Sequence, residues 1–191
     1  MIRGSLIVGF TLCALAPIAQ AATDLYATEP THTFVTFEIP HFATSTIRGR
    51  FDKTSGTVQI DRGAKSGRAE ISVDTASVNT GTRPFNEHMQ SKDFFNTSNY
   101  PTARFSADKF AFNGDKVSQV EGTLTMVGKT MPVTLKATNF NCYDSPLLKR
   151  EVCGGDFETT IQRSQWGITS YLEYGFPDAV RLLIQIEAIK Q

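Results

Sequence analysis

The chain is predicted to be all-β, an antiparallel sheet arranged as a sandwich or a barrel. Three observations carry this. Short runs alternating apolar with polar residues recur along the 191-residue sequence, turn residues separate them at short intervals, and one segment alone breaks the period of two. Successive side chains of a strand point to opposite faces, so each run has one dry and one wet side. The last run is the clearest: Val180, Leu182, Ile184, Ile186 and Ala188 share one face, and Arg181, Gln185 and Glu187 the other.

A leader precedes these runs. Arg3 stands before an apolar stretch from Leu6 to Ala19, and Ala19-Gln20-Ala21 is a small-x-small cleavage site. Residues 1–21 are therefore expected to be a signal peptide, with a single domain over 22–191. Pro17 interrupts the apolar stretch, which falls short of the ~20 residues a spanning helix needs. Leu12 stands before Cys13 where a lipoprotein signal has a small residue.

Val35, Phe37 and Ile39 alternate with Thr36 and Glu38, which predicts a strand over 32–39 ending near Pro40. Val58 with Ile60 marks the next, and Ala69, Ile71 and Val73 the one after. Phe105 and Phe110 have opposite parity, so a bulge or break is expected between them. Val120, Leu124 and Met126 lead across Gly128-Lys129 into Val133, Leu135 and Ala137, a hairpin. Phe157, Thr159 and Ile161 precede the final strand. From Pro84 to Phe95 the apolar residues do not alternate, and Pro84 suits the start of a short helix near residues 84–95 that lids one end of the sheet. Small residues expected to face inward, Ala69, Gly122 and Ala137, leave room beside Phe37 and Phe157.

Composition removes several function classes. The chain has 19 basic and 19 acidic side chains and no basic stripe, which argues against nucleic acid as a partner. His32, His41 and His88 match no metal-ligand spacing, and no Gly-x-Ser-x-Gly elbow or phosphate-binding glycine loop occurs. No enzyme activity, metal or cofactor is expected. Cys142 and Cys153, in a chain bound for an oxidising compartment, are expected to form a disulfide that closes a loop between strands. Arg48, Arg83 and Arg163 lie near expected strand ends, where guanidinium donors suit an anionic head group or a simple surface ion pair. Trp166 caps the core or lines a pocket mouth.

Several stretches taken in order resemble the YceI-like family of exported lipid-binding proteins. They are His32-Thr33-Phe34-Val35-Thr36-Phe37 with His41 and Ser45-Thr46-Ile47-Arg48-Gly49-Arg50-Phe51; Thr80-Gly81, His88-Met89, Ser91, Asp93-Phe94-Phe95 and Tyr100-Pro101; Gly122-Thr123-Leu124-Thr125 with Gly128-Lys129-Thr130 and Pro132-Val133-Thr134-Leu135; and Thr160 to Gly167. The family commonly has Arg-Asp just before its middle His-Leu motif, where this chain has Phe85-Asn86.

The resemblance implies an extended, lipocalin-like antiparallel β-barrel of about eight strands. Its apolar channel would hold a long-chain isoprenoid lipid, either an isoprenoid quinone or a polyprenyl phosphate, as ligand in the periplasm. Val35, Phe37, Val58, Ile71, Val73, Leu124, Leu135, Phe157, Ile161 and Ile184 are the expected channel wall. His41, Arg48, Arg83, His88 and Trp166 are the expected mouth. Alternatives are a fatty acid or fatty amide in the same barrel, or a lipid-modifying enzyme using His41 and His88. Transient membrane contact and a homodimer are compatible with the sequence.

Overall fold

The computed structural model describes residues 23–191. The expected signal peptide thus lies outside the described residues. Eleven strands form one antiparallel sheet: β1 (Asp24–Thr28), β2 (Phe34–His41), β3 (Ser45–Phe51), β4 (Thr54–Asp61), β5 (Ser66–Asp74), β6 (Val78–Asn79), β7 (Thr102–Asn113), β8 (Lys116–Met126), β9 (Lys129–Asp144), β10 (Glu151–Gln162) and β11 (Ala179–Lys190). The helix α1 (Arg83–Gln90) lies between β6 and β7.

The sheet closes through β11. One side of β11 pairs with β10; the other pairs with β2 through Arg181–Gln185 and with β1 through Ala188–Lys190. The order β1-β4-β5-β7-β8-β9-β10-β11 then returns to β1, giving a closed barrel of 8 strands. The remaining strands extend three of these toward one end: β2 continues β1, β3 leads into β4, and β6 follows β5.

The interruptions have local causes. Between β1 and β2, Pro30 has no amide hydrogen, and Glu29 turns back to accept from the Thr31 amide and hydroxyl. The Thr33 hydroxyl substitutes for a missing backbone partner of β11, donating to the Glu187 carbonyl and accepting from its amide. Between β5 and β6, Asp74 accepts from the Ala76 amide and starts a single tight turn over Thr75–Ser77. The Ser77 hydroxyl receives the Lys53 amide, so the β3–β4 break is stitched to the same turn.

The expected bulge is present, as a register shift between Ala107 and Lys109 that leaves β7 one continuous strand. The β8–β9 hairpin also forms, although its two turn residues are Val127-Gly128, both at positive φ, one position before the expected pair. The first expected strand runs on through Pro40 to His41; its pairing with β11 stops at Glu38, and the rest pairs only with β3. The expected helix over 84–95 is shorter. It ends at Gln90 because Ser91 adopts an extended backbone, and residues 91–100 form successive turns that still bury Phe95. Strands β1 and β3 were not expected: Leu25 and Ala27 flanking Tyr26 are too short an alternation to register.

Cys142 and Cys153 face each other directly across β9 and β10 and form the disulfide. Two apolar clusters fill opposite halves of the interior, and Phe105 and Leu135 pack against both. Gly49 on β3 is required by this packing, since any side chain there would collide with the Phe37 ring.

Candidate functional site: an apolar hollow with an aromatic mouth

A cavity of about 540 Å³ runs through the barrel. That is within the ~300–1,000 Å³ typical of small-molecule sites. Its wall follows strand parity. β2 contributes Val35, Phe37 and Ile39, β5 contributes Ala69, Ile71 and Val73, and β11 contributes Val180, Leu182, Ile184, Ile186 and Ala188. Val58, Leu124, Leu135, Phe157 and Ile161 complete the set expected on the wall, and every one of them lines the hollow. Two small residues expected to open space do not: Gly122 and Ala137 are not among the lining residues, whereas Ala69 is. At Gly122 the space is already taken by the Ser106 carbonyl and the Ala107 side chain.

The two ends differ. At one, the connections are short, and Tyr26 closes the floor, 1% exposed, with its hydroxyl donating to Glu151 at 2.5 Å. Arg62 donates to the other oxygen of that carboxylate at 2.7 Å. Burial, reinforced by the Glu151 hydrogen bond and charge, pushes the Tyr26 hydroxyl well above its ordinary pKa. Burial also raises the Glu151 carboxyl, but the hydrogen bonds from Tyr26 and Arg62 and the Arg62 charge outweigh it, leaving a net lowering.

At the other end lie the long connections, residues 75–101 and 163–178, and the β2–β3 hairpin. Aromatic rings gather here in two groups. His41, Phe42 and Phe176 meet edge to face, with centroids 5.0 to 5.9 Å apart. His88 packs on Phe94 at 4.8 Å and lies near Phe85 and Tyr171, whose hydroxyl is 3.4 Å from His88 Nε2. Phe42 and Tyr171 both take positive φ and are exposed, as is Tyr174.

Of the expected mouth residues, His41 and His88 line the hollow. Arg48, Arg83 and Trp166 do not, and each has a local reason. Arg48 alternates with inward Ile47 and therefore points outward, 63% exposed, to pair with Glu38 at 2.7 Å. Arg83, 89% exposed, pairs with Glu87 one helical turn on. Trp166 is 1% exposed within the core, its indole donating to the Leu124 carbonyl at 3.0 Å. Phe42, Tyr171, Tyr174 and Phe176 were missed because they lie on turns, where no periodicity marks an inward face. Arg163, one of the three arginines considered for a head group, lines the hollow, unlike Arg48 and Arg83. Its parity with Phe157 and Ile161 was the available signal.

Neither histidine at the mouth has a carboxylate hydrogen-bond partner among the described residues, and the two belong to separate aromatic groups. Cys142, Glu151 and Cys153 come close enough to resemble a metal site. Their sulfurs are bonded to each other and Glu151 is held by Tyr26 and Arg62, so no thiolate is on offer.

The YceI-like domain family matches residues 26–188, the whole barrel. The chain belongs to the YceI-like family. A UPF0312 protein of Pseudomonas aeruginosa is 32% identical over 174 residues, covering 91% of this chain and 90% of its own length. Protein YceI of Salmonella newport is 30% identical over 189 residues, covering 97% of each. Among solved structures, Burkholderia cenocepacia BcnA superposes with a TM-score of 0.69 at 24% identity, over 84% of this chain and 98% of that one. A polyisoprenoid binding domain from Saccharophagus degradans superposes at 0.62 with 20% identity, over 87% and 98%. Both share the barrel fold with this chain.

Proposed function

We propose that the protein is an exported carrier or reservoir for a long-chain isoprenoid lipid, an isoprenoid quinone or a polyprenyl phosphate, held in the barrel and working in the periplasm. The observation that carries this reading is the continuous apolar hollow, floored by Tyr26 and opening among aromatic rings. The neighbour described as a polyisoprenoid binding domain supports the same cargo class. The signal-peptide pattern of residues 1–21 supports export.

A hydrocarbon chain does not cross water unaided, and sheltering it returns about 0.8 kcal/mol per methylene. Ordering the flexible tail opposes that gain. Net affinity is therefore moderate, as a carrier that must release its cargo requires. The exposed rings of Phe42, Tyr171 and Tyr174 suit brief contact with a membrane surface during loading. No catalytic role is assigned to His41 or His88, which have aromatic neighbours in place of the acid that would orient a base.

Mass spectrometry of an organic extract of the purified protein tests the reading. An isoprenoid lipid recovered at near-stoichiometric yield supports it. Fatty acid or fatty amide in its place assigns the barrel a different cargo, and extracts without lipid from several expression hosts overturn it.

A further inference from the structure

The wall of the hollow is not wholly apolar. Tyr26, Thr33, Thr54, Thr75 and Arg163 are buried in it. Most of their polar atoms have partners: Tyr26 donates to Glu151, Thr33 to the Glu187 carbonyl and Thr75 to the Tyr100 carbonyl. Among the described residues two buried side-chain atoms have none, Thr54 Oγ1 and Arg163 Nη2, and both residues contribute to this wall. A buried donor without an acceptor is rare in native proteins, and most costly when the donor is charged.

Arg163 is 5% exposed and fixed in place. Its Nε donates to the Pro177 carbonyl and its Nη1 to the Ile168 carbonyl, each at 3.0 Å. The guanidinium lies 5.7 Å from the Phe176 ring centroid, and Phe176 packs against His41 and Phe42. Arg163 thus sits one layer behind the aromatic mouth. The nearby Asp178 carboxylate is occupied by the Ser164 amide and hydroxyl, at 2.8 and 2.6 Å. Burial lowers the Arg163 pKa and the Asp178 charge opposes this, as expected for a desolvated cation lacking a direct counter-ion.

We propose that Arg163 Nη2 is the head-group donor of this site, taking one uncharged oxygen acceptor, a carbonyl, at the polar end of the lipid. The proposal rests on the lipid-binding reading above and deepens it. Nε and one Nη1 hydrogen are already engaged, which closes the side-on fork of Nε with Nη2 to a phosphate. Among the described residues no lysine and no second arginine lines the hollow. A phosphate buried here would face a single cation, the other donors of the mouth being the side chains of His41, His88, Tyr171 and Tyr174, whereas a carbonyl needs one N–H.

The test uses three probes with the same isoprenoid tail, ending in a benzoquinone, in a phosphate, or in plain hydrocarbon. Each is titrated into the full-length mature protein and into Arg163→Met. The wild type is expected to prefer the quinone over the hydrocarbon by about tenfold or more, and over the phosphate as well. Arg163→Met is expected to abolish the preference, so that quinone and hydrocarbon bind the variant within about twofold of each other. Equal loss of all three probes means Arg163 only props the mouth, and overturns the proposal. So does a phosphate that binds the wild type more tightly than the quinone. Wild-type protein that takes up no probe overturns the lipid reading itself, and this proposal with it. Should Arg163→Met fail to fold, the infrared carbonyl stretch of the quinone in wild-type protein decides: a shift to lower frequency than in hydrocarbon solvent supports the hydrogen bond, and an unshifted band overturns it.

Discussion

Gly49 and Trp166 each act through a single contact, and both support the wall without forming part of the hollow. Adding a methyl at Gly49 drives it into the Phe37 ring, so Gly49→Ala is expected to cost about 1–3 kcal/mol in chemical denaturation. Replacing Trp166 with Phe removes the indole hydrogen bond to the Leu124 carbonyl and leaves a smaller ring in the packed core, at a cost of about 1–3 kcal/mol. Because Trp166 does not line the hollow, lipid affinity is expected to survive that change. A variant of normal stability that had lost binding would place Trp166 in the site after all. Parity made the wall residues legible in the sequence, and it also separates the arginines: Arg48 alternates with inward Ile47, while Arg163 keeps the phase of Ile161. Trp166 was not legible this way, because it lies three residues into the tight turn that begins at Arg163, beyond the reach of the strand's alternation.

At the scale of elements, the floor and the disulfide brace the same end of the barrel. Glu151 is more acidic folded than unfolded, so its stabilisation is present above the ordinary carboxylate range and is lost as pH falls through the folded value. Tyr26 is less acidic folded than unfolded. Its contribution holds below the ordinary tyrosine value of 10.0 and is lost as pH rises beyond it. Melting temperature is therefore expected to fall on both flanks, and Tyr26→Phe to flatten the alkaline flank; an unchanged alkaline slope in that variant would remove Tyr26 from the account. Opening the Cys142–Cys153 bridge, by reduction or by paired serines, is expected to cost about 2–3 kcal/mol from the short loop it closes, read as a lower denaturation midpoint. The pairing was foreseeable because only two cysteines lie outside the expected signal peptide, and that leader pattern points to an oxidising compartment. The aromatic mouth was not: Phe42 meets Phe176, and Phe94 meets Tyr171, from turns far apart in the chain, and no local pattern signals those meetings.

For the whole molecule, what the sequence left open was closure. Alternation identifies inward faces in a sandwich and in a barrel alike, and only the pairing of β1 with β11, from opposite ends of the chain, distinguishes them. Closure gives the inward side chains a hollow to surround, and the small Ala69 and Ala103 help to keep it open. Filling it should therefore harm binding more than folding. Ala69→Phe is expected to leave a cooperatively folded barrel with at least about tenfold weaker lipid affinity. Unimpaired binding in that variant would move the ligand elsewhere.

The central claim is that one hollow shelters the hydrocarbon tail, and a chain-length series measures it most directly. Prenyl ligands with one head group and increasing numbers of isoprene units would be titrated into delipidated protein, with the heat of binding as the readout. Affinity is expected to rise with each added unit until the hollow is full and then level off. An affinity that does not change with tail length would contradict the account.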